Sequence, residues 1–226
     1  MAGVAARPSR VFAVGGERYQ RTGAANLMAN FMANSMALTR RHLLLGAAAT
    51  GWLGLSGAQA AEPILTDDGL YKQPWFLESF LDLPEDLEEA HKAGKRFVIM
   101  WELKGCPYCK ETHFVNFARP DINDYIKTNF EVLQLNIIGS RKVTDFDGAQ
   151  LSEKELAAKY GVRFTPTLQF FAERAAALKN AAPQKREVAR APGYLRPDDF
   201  LAMFRYVREK AYQDKSFRDY LRAMPG

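Results

Sequence analysis

The chain has 226 residues, a formal net charge of +5, 47% apolar and 25% charged residues, and two cysteines. Six of the 31 Lys and Arg, and one of the 26 Asp and Glu, lie in residues 1–60, so the remaining 166 residues carry 25 of each and are neutral overall. The basic balance therefore belongs to the first segment, which removes charge as an argument for nucleic-acid binding, and the remainder suits one domain with one core.

Residues 1–35 are rich in Ala, Arg, Asn and Gly without periodicity, and Met28, Met32 and Met36 offer internal starts; translation is expected to begin at Met36. Thr39-Arg40-Arg41-His42 precedes the apolar run Leu43–Leu55, and Ser56-Gly57-Ala58-Gln59-Ala60 supplies a small-residue exit. This order reads as a signal peptide cleaved after Ala60. The apolar run spans 13 residues, whereas a membrane-crossing helix needs about 20, so no retained anchor is expected. The paired arginines resemble a twin-arginine export signal, although Leu45 stands where such signals often carry lysine; general secretion is the alternative. A periplasmic mature protein is expected.

Residues 61–83 carry Tyr71, Trp75, Phe76, Phe80 and Leu81 among acids and prolines, and read as an extension packed onto the domain that follows at 84–226. Pro84-Glu85-Asp86 opens a helix, Leu87 to Ala93. Arg96 to Leu103 reads as a buried strand. A helix-like stretch runs from Lys110 to Ala118, Asp121 caps a further segment through Phe130, and Glu131 to Ile137 alternates as a strand. Gly139 to Gln150 reads as a polar loop, and Ser152 caps a helix over Glu153 to Tyr160. Val162 to Ala172 is a strand interrupted by Thr165-Pro166-Thr167. Residues 174–185 read as a surface insertion remote from the cysteines. Glu187 to Ala191 is another strand, Pro192-Gly193 turns the chain, and Arg196-Pro197-Asp198 starts a helix with Phe200, Leu201, Phe204 and Val207 on one face. The element order implies an α/β fold, a mixed central sheet flanked by helices.

Cys106 and Cys109 stand three apart in Gly105-Cys106-Pro107-Tyr108-Cys109-Lys110, between the strand and the helix. Such a pair can close into a small disulfide ring and reopen. So short a loop constrains little chain, which favours redox use over a structural bridge. At the start of a helix opened by Pro107, the Cys106 sulfur would meet unpaired N–H groups and the positive end of the dipole, making it the nucleophile. Cys109, one turn inward, would resolve the mixed disulfide. Glu102 ends the buried strand four residues before Cys106; it either accepts the Cys109 proton or points to solvent. His113 shares a helical face with Cys109 but reads as an exposed helix residue, Lys110 as a solvated charge, Tyr108 as exposed, and Trp101 and Phe164 as core.

The strand ending near Trp101, the Cys106-Pro107-Tyr108-Cys109 pair, the segment Tyr160-Gly161-Val162-Arg163-Phe164-Thr165-Pro166-Thr167 and Gly193-Tyr194-Leu195 together resemble the thioredoxin superfamily across residues 84–212. Trp101-Glu102 before the dithiol, the loop Asp145-Phe146-Asp147-Gly148 and the leader resemble SoxW-type periplasmic thioredoxins. The superfamily resemblance implies a thioredoxin fold, with residues 174–185 enlarging a usually short hairpin. It also implies a cis Pro166 facing the dithiol, with Thr165 offering its backbone to a substrate strand. Pro107, Tyr108 and Gly193 complete the implied substrate-binding face. The chain departs from the usual pattern at Gly105, where thioredoxins carry Trp, at Pro107-Tyr108, where they carry Gly-Pro, and at Met100, where many carry a buried aspartate.

The expected activity is that of a thiol–disulfide oxidoreductase. The resemblance implies a reductase that takes electrons from a membrane thiol carrier and passes them to a disulfide-bearing periplasmic protein of sulfur oxidation. The same chemistry run backwards would make it an oxidase or isomerase. Cys106, Cys109 and His113 also form a Cys-x-x-Cys-x-x-x-His series open to a metal-binding reading, although zinc wants four ligands. No cofactor beyond the dithiol, no metal, no nucleic acid and no stable membrane anchor are expected.

Overall fold

The computed structural model describes residues 62–224. The expectations for the leader, the start at Met36 and cleavage after Ala60 lie outside the described residues. An N-terminal segment begins with two short antiparallel strands, β1 (Ile64–Leu65) and β2 (Tyr71–Lys72). Helix α1 (Leu83–Lys92) and strand β3 (Arg96–Glu102) follow. Helix α2 (Pro107–Glu111) runs on through a wider π-type turn, Thr112–Asn116, to α3 (Pro120–Asn129) and β4 (Phe130–Asn136). A small hairpin, β5 (Lys142–Thr144) and β6 (Gln150–Ser152), leads to α4 (Glu153–Lys159) and β7 (Thr167–Phe171). One-turn α5 (Ala175–Leu178), β8 (Glu187–Pro192), α6 (Pro197–Arg208) and α7 (Phe217–Arg222) complete the order.

The main sheet has the order β4-β3-β7-β8, with β3 parallel to β4 and antiparallel to β7, and β8 antiparallel to β7. Strand β3 is central, so its two edges are paired and all seven residues are buried. Its alternating side chains feed two cores. Val98 and Met100 meet α3 and α6 through Ile122, Ile126, Phe200, Phe204 and Val207. Phe97, Ile99 and Trp101 meet α1 and α4 through Leu83, Leu87, Leu156 and Ala157. Alternation places Glu102 on the Met100 side, under the helix that follows the dithiol. Each buried Phe or Leu contributes about 1.5–3 kcal/mol, and this covering of both faces holds β3 and its polar end in place.

Local chemistry fixes the helix starts. The Asp82 carboxylate accepts from the Glu85 N–H at 3.1 Å, and Pro84 occupies the first turn of α1. Ser152 and Glu155 form a reciprocal capping box on α4. Asp198 and Asp199 lie in the first turn of α6, whose Phe200, Leu201, Phe204 and Val207 are buried as the periodicity requires.

Several elements differ from their sequence reading. Arg119, not Asp121, precedes α3; Pro120 is its first residue, and the Asp121 carboxylate instead pairs with the Arg119 guanidinium at 2.7 Å. The loop 139–150 holds β5 and the start of β6, because Val143 and Phe146 bury against α1 and α4. Strand β7 starts only at Thr167, leaving Val162 to Pro166 irregular. Helix α7 is too short for its periodicity to show in the sequence.

The insertion is not a free surface segment. Leu178 joins the core beside α1, and Arg186 is 2% exposed. The Arg186 guanidinium donates to Asp145 Oδ2 at 2.8 Å, Tyr160 Oη at 2.9 Å, Asp147 Oδ2 at 2.9 Å and the Ala181 carbonyl at 2.9 Å. Burial alone would raise the Asp147 carboxyl, but hydrogen bonds from Lys159 and Arg186 outweigh it and hold the group well below the usual range. The expected cost of Arg186→Ala is about 3 kcal/mol, because it leaves the buried Asp145 with Lys159 as its one cationic partner and removes a donor from Tyr160; urea unfolding checks this, and a loss under about 1 kcal/mol would show the cluster to be dispensable.

Asp86 is buried in α1 and accepts from Ser79 Oγ at 2.6 Å. Burial pushes its carboxyl up to about 6, the Ser79 hydrogen bond opposes this in part, and Asp82, Glu89 and Glu85 add to the rise. A raised folded value favours the protonated form, so the stability it contributes is full below the unfolded value of 3.8 and is lost as pH rises through about 6. Asp86→Asn should therefore stabilise the protein by about 1 kcal/mol at pH 8, or about 2–4 °C in Tm, and give no gain at pH 3. Thermal unfolding at the two pH values is the check. Among the described residues no helix is long and apolar enough to cross a membrane.

Candidate active site

Strand β3 ends at Glu102, and the chain turns through Leu103-Lys104-Gly105 into α2. Gly105 takes φ +78° in this turn, a conformation that glycine adopts without penalty. Cys106 then sits at the helix cap with extended backbone, and Pro107 is the first helical residue. The two sulfurs are closed into a disulfide with Cα atoms 5.3 Å apart. Cys106 is half-buried, whereas Cys109 is 5% exposed. The Cys109 backbone N–H points at Cys106 Sγ from 3.1 Å. In the reduced state that donor favours a thiolate on Cys106 over the thiol.

Across from the dithiol, the Thr165–Pro166 peptide bond is cis, and the Thr165 carbonyl oxygen lies 3.5 Å from Cys106 Sγ. The Gly193 N–H donates to the Pro166 carbonyl at 2.7 Å and takes φ +85° to do so. Asn116 ties the next residues down: its Nδ2 donates to the Leu195 carbonyl at 2.9 Å, and its Oδ1 accepts from Tyr194 Oη at 3.1 Å. Tyr108 stacks on Tyr194 with ring centroids 5.8 Å apart. Thus Pro107, Tyr108, Thr165, Pro166 and Gly193 converge on one face around Cys106. Phe164 belongs to the rim and not to the core: it is 65% exposed, because the irregular stretch before Thr167 turns it outward. Trp101 is fully buried and donates its indole N–H to Gln169 Oε1 at 2.7 Å.

A cleft of about 600 Å³ opens beside the sulfurs. Leu65, Gly69 and Tyr71 of the N-terminal segment form one wall; Glu102, Cys106 and Cys109 line the other side. Gly69 has φ +79°, a backbone conformation that favours glycine, and lies close to the flexible Lys104 side chain. Lys110 is exposed, and its ammonium lies 5.9 Å from the Tyr71 ring and 5.7 Å from the Phe114 ring.

Glu102 points inward, at 1% exposure. His113, read from sequence as exposed, is likewise 1% exposed. It lies one turn beyond Cys109 on the inward face, and the widened turn carries Thr112, His113 and Asn116 all to the inside. His113 Nε2 is 3.0 and 3.1 Å from the two Glu102 oxygens. Gln134 on β4 donates to Glu102 Oε2 and also to the Tyr71 carbonyl, the latter at 2.6 Å. Gln73 completes the cluster through His113. Neither Gln73 nor Gln134 carries a sequence signal; the spacing of His113 from Cys109 does. Both ring nitrogens of His113 face protein groups, Glu102 and Gln73, and not the sulfurs. Among the described residues no group of three or more His, Cys, Asp or Glu side chains converges as a metal site.

After reduction, Cys106 should react with iodoacetamide at least about tenfold faster than Cys109, and should stay reactive at pH 6. Mass spectrometry of partly alkylated protein measures both rates, and equal reactivity of the two sulfurs would contradict this site.

The family description that matches residues 83–208 is a thioredoxin-like domain. Among solved structures, a thioredoxin-fold protein from Helicobacter pylori is 24% identical with a TM-score of 0.48, over 66% of this chain and 86% of its own. A thioredoxin from Thermus thermophilus is 25% identical with a TM-score of 0.42, over 56% of this chain and 83% of its own. No curated protein matches the sequence. The match at 83–208 takes in β3, the dithiol, the Thr165-Pro166 turn and α6, and the chain belongs to the thioredoxin-like domain family.

Proposed function

We propose that the protein is an exported thiol–disulfide oxidoreductase that works as a reductase on a disulfide-bearing partner protein. The observation that carries the reading is the asymmetry of the dithiol. Cys106 is at the surface with an N–H on its sulfur and the Thr165 carbonyl beside it; Cys109 is buried behind it next to the cleft that Glu102 also lines. The Cys106 thiolate attacks a partner sulfur, forming a mixed disulfide and releasing the other partner sulfur. Glu102 accepts the proton of Cys109, whose sulfur then attacks Cys106 Sγ and releases the reduced partner. Two electrons leave the dithiol as its disulfide closes.

The half-buried Thr165 beside Cys106 and the apolar rim of Tyr108, Phe164 and Leu65 suit an extended peptide laid across Cys106. Periplasmic location rests on the leader sequence. A membrane thiol carrier as electron donor and a sulfur-oxidation protein as acceptor rest on the SoxW-type resemblance.

Cys106→Ser is expected to reduce disulfide reduction to the uncatalysed rate. Cys109→Ser should retain the partner as a covalent mixed disulfide, identifiable by mass spectrometry from a periplasmic extract. Full turnover by the Cys106→Ser protein would refute the assignment. Direction is read by equilibrating the dithiol against a glutathione buffer: proteins with paired cysteines range from about −270 mV for reductants to about −120 mV for oxidants. A potential at the upper end would make this protein an oxidase.

A further inference from the structure

The buried imidazole beneath the dithiol is held at both nitrogens, and its partners specify where its proton sits. Gln73 Nε2 lies 3.3 Å from His113 Nδ1 and 3.4 Å from the His113 carbonyl oxygen. An amide nitrogen only donates, so Nδ1 accepts and the ring carries its proton on Nε2, aimed at Glu102. The opposite amide orientation would set Gln73 Oε1 against the His113 carbonyl oxygen, acceptor against acceptor. The orientation present leaves Oε1 as a buried atom without a partner. The ring is closed in otherwise by Phe76 and Phe117, with centroids 5.8 and 5.6 Å away. Glu102 is the titratable group it meets, and Cys109 stands one helical turn before it.

We propose that Gln73 and His113 are positioning residues of the redox site: Gln73 fixes the Nε2–H tautomer of His113, and His113 in turn holds the Glu102 carboxylate as the acceptor of the Cys109 proton. This rests on the thiol–disulfide reading above and adds to it a residue from the N-terminal segment, outside residues 83–208. In the resolving step the Cys109 S–H bond breaks and the proton passes to a Glu102 oxygen. The sulfur electron pair forms the Cys109–Cys106 bond, the bond from Cys106 to the partner breaks, and the partner leaves as a thiolate. Glu102 then releases the proton through the cleft to that thiolate or to water. His113 and Gln134 both donate to the carboxylate, so it is fixed in orientation before the step.

The test needs no turnover in its first arm. Long-range nitrogen–proton NMR of the oxidised wild-type protein at pH 8 should show His113 as the neutral Nε2–H tautomer. An Nδ1–H tautomer would overturn the proposal. In the second arm, Gln73→Met keeps an unbranched side chain of similar length without the donor. Release of a mixed disulfide between Cys106 and a glutathione moiety should slow about tenfold and need a higher pH to reach half its maximum, while alkylation of Cys106 stays within twofold of wild type. A release rate and pH profile unchanged in folded Gln73→Met protein would reduce Gln73 to packing. Gln73→Glu keeps the shape but presents an acceptor, and should shift the ring proton toward Nδ1; no change in the His113 signals would also overturn the idea. If wild-type protein exchanges no disulfides, the redox reading fails, while the ring tautomer still decides the hydrogen-bond assignment.

Discussion

A carboxylate at the end of a strand that is paired on both edges and covered on both faces is largely withdrawn from water, and Glu102, 1% exposed at the floor of the cleft, is such a carboxylate. An unpartnered charge in that place would cost several kcal/mol. The surrounding chain answers from three directions: His113 from the widened turn after α2, Gln134 from the neighbouring strand β4, and Gln73 behind His113 from the N-terminal segment. The widened turn carries Thr112, His113 and Asn116 inward together, so the imidazole under the dithiol and the amide that ties down residues 194 and 195 come from the same turn.

The same geometry divides labour between the two sulfurs. Cys106 is at a helix cap, open to a partner, with a backbone donor on its sulfur and a backbone acceptor beside it. Cys109 is one turn deeper and lines the same cleft as the buried Glu102. In the proposed cycle the surface thiolate captures the partner and the shielded thiol gives its proton to a base. Both halves depend on β3 staying fixed, and β3 is fixed by apolar packing on either side, not by the polar groups at its end.

Much of this was legible in the sequence because it is local or periodic. The continuous apolar run of β3, the amphipathic face of α6, the cysteine spacing and the Thr165-Pro166 turn each announce themselves within a few residues. Helix spacing put His113 on the inward face with Cys109, yet a single histidine among Lys110, Glu111 and Thr112 reads as solvent-exposed; burial became visible only with its partners in place. Phe164 misled in the opposite sense, since an apolar side chain in an irregular stretch follows the turn and not a strand alternation. Gln73 and Gln134 left no trace, being neutral amides whose partners lie 40 and 32 residues away. Arg186 was hidden in the same manner, 41 residues from the Asp145 that it meets.

The wall that the first strands raise against the dithiol has a consequence for where the working unit ends. The family match begins at residue 83, after Phe76 has entered the core and after Tyr71 and Gln73 have made their contacts with the polar cluster. A fragment trimmed to that match would keep both sulfurs and lose the roof over the imidazole, opening the cluster from that side. In this protein the span of the family match and the span of the polar cluster have different borders.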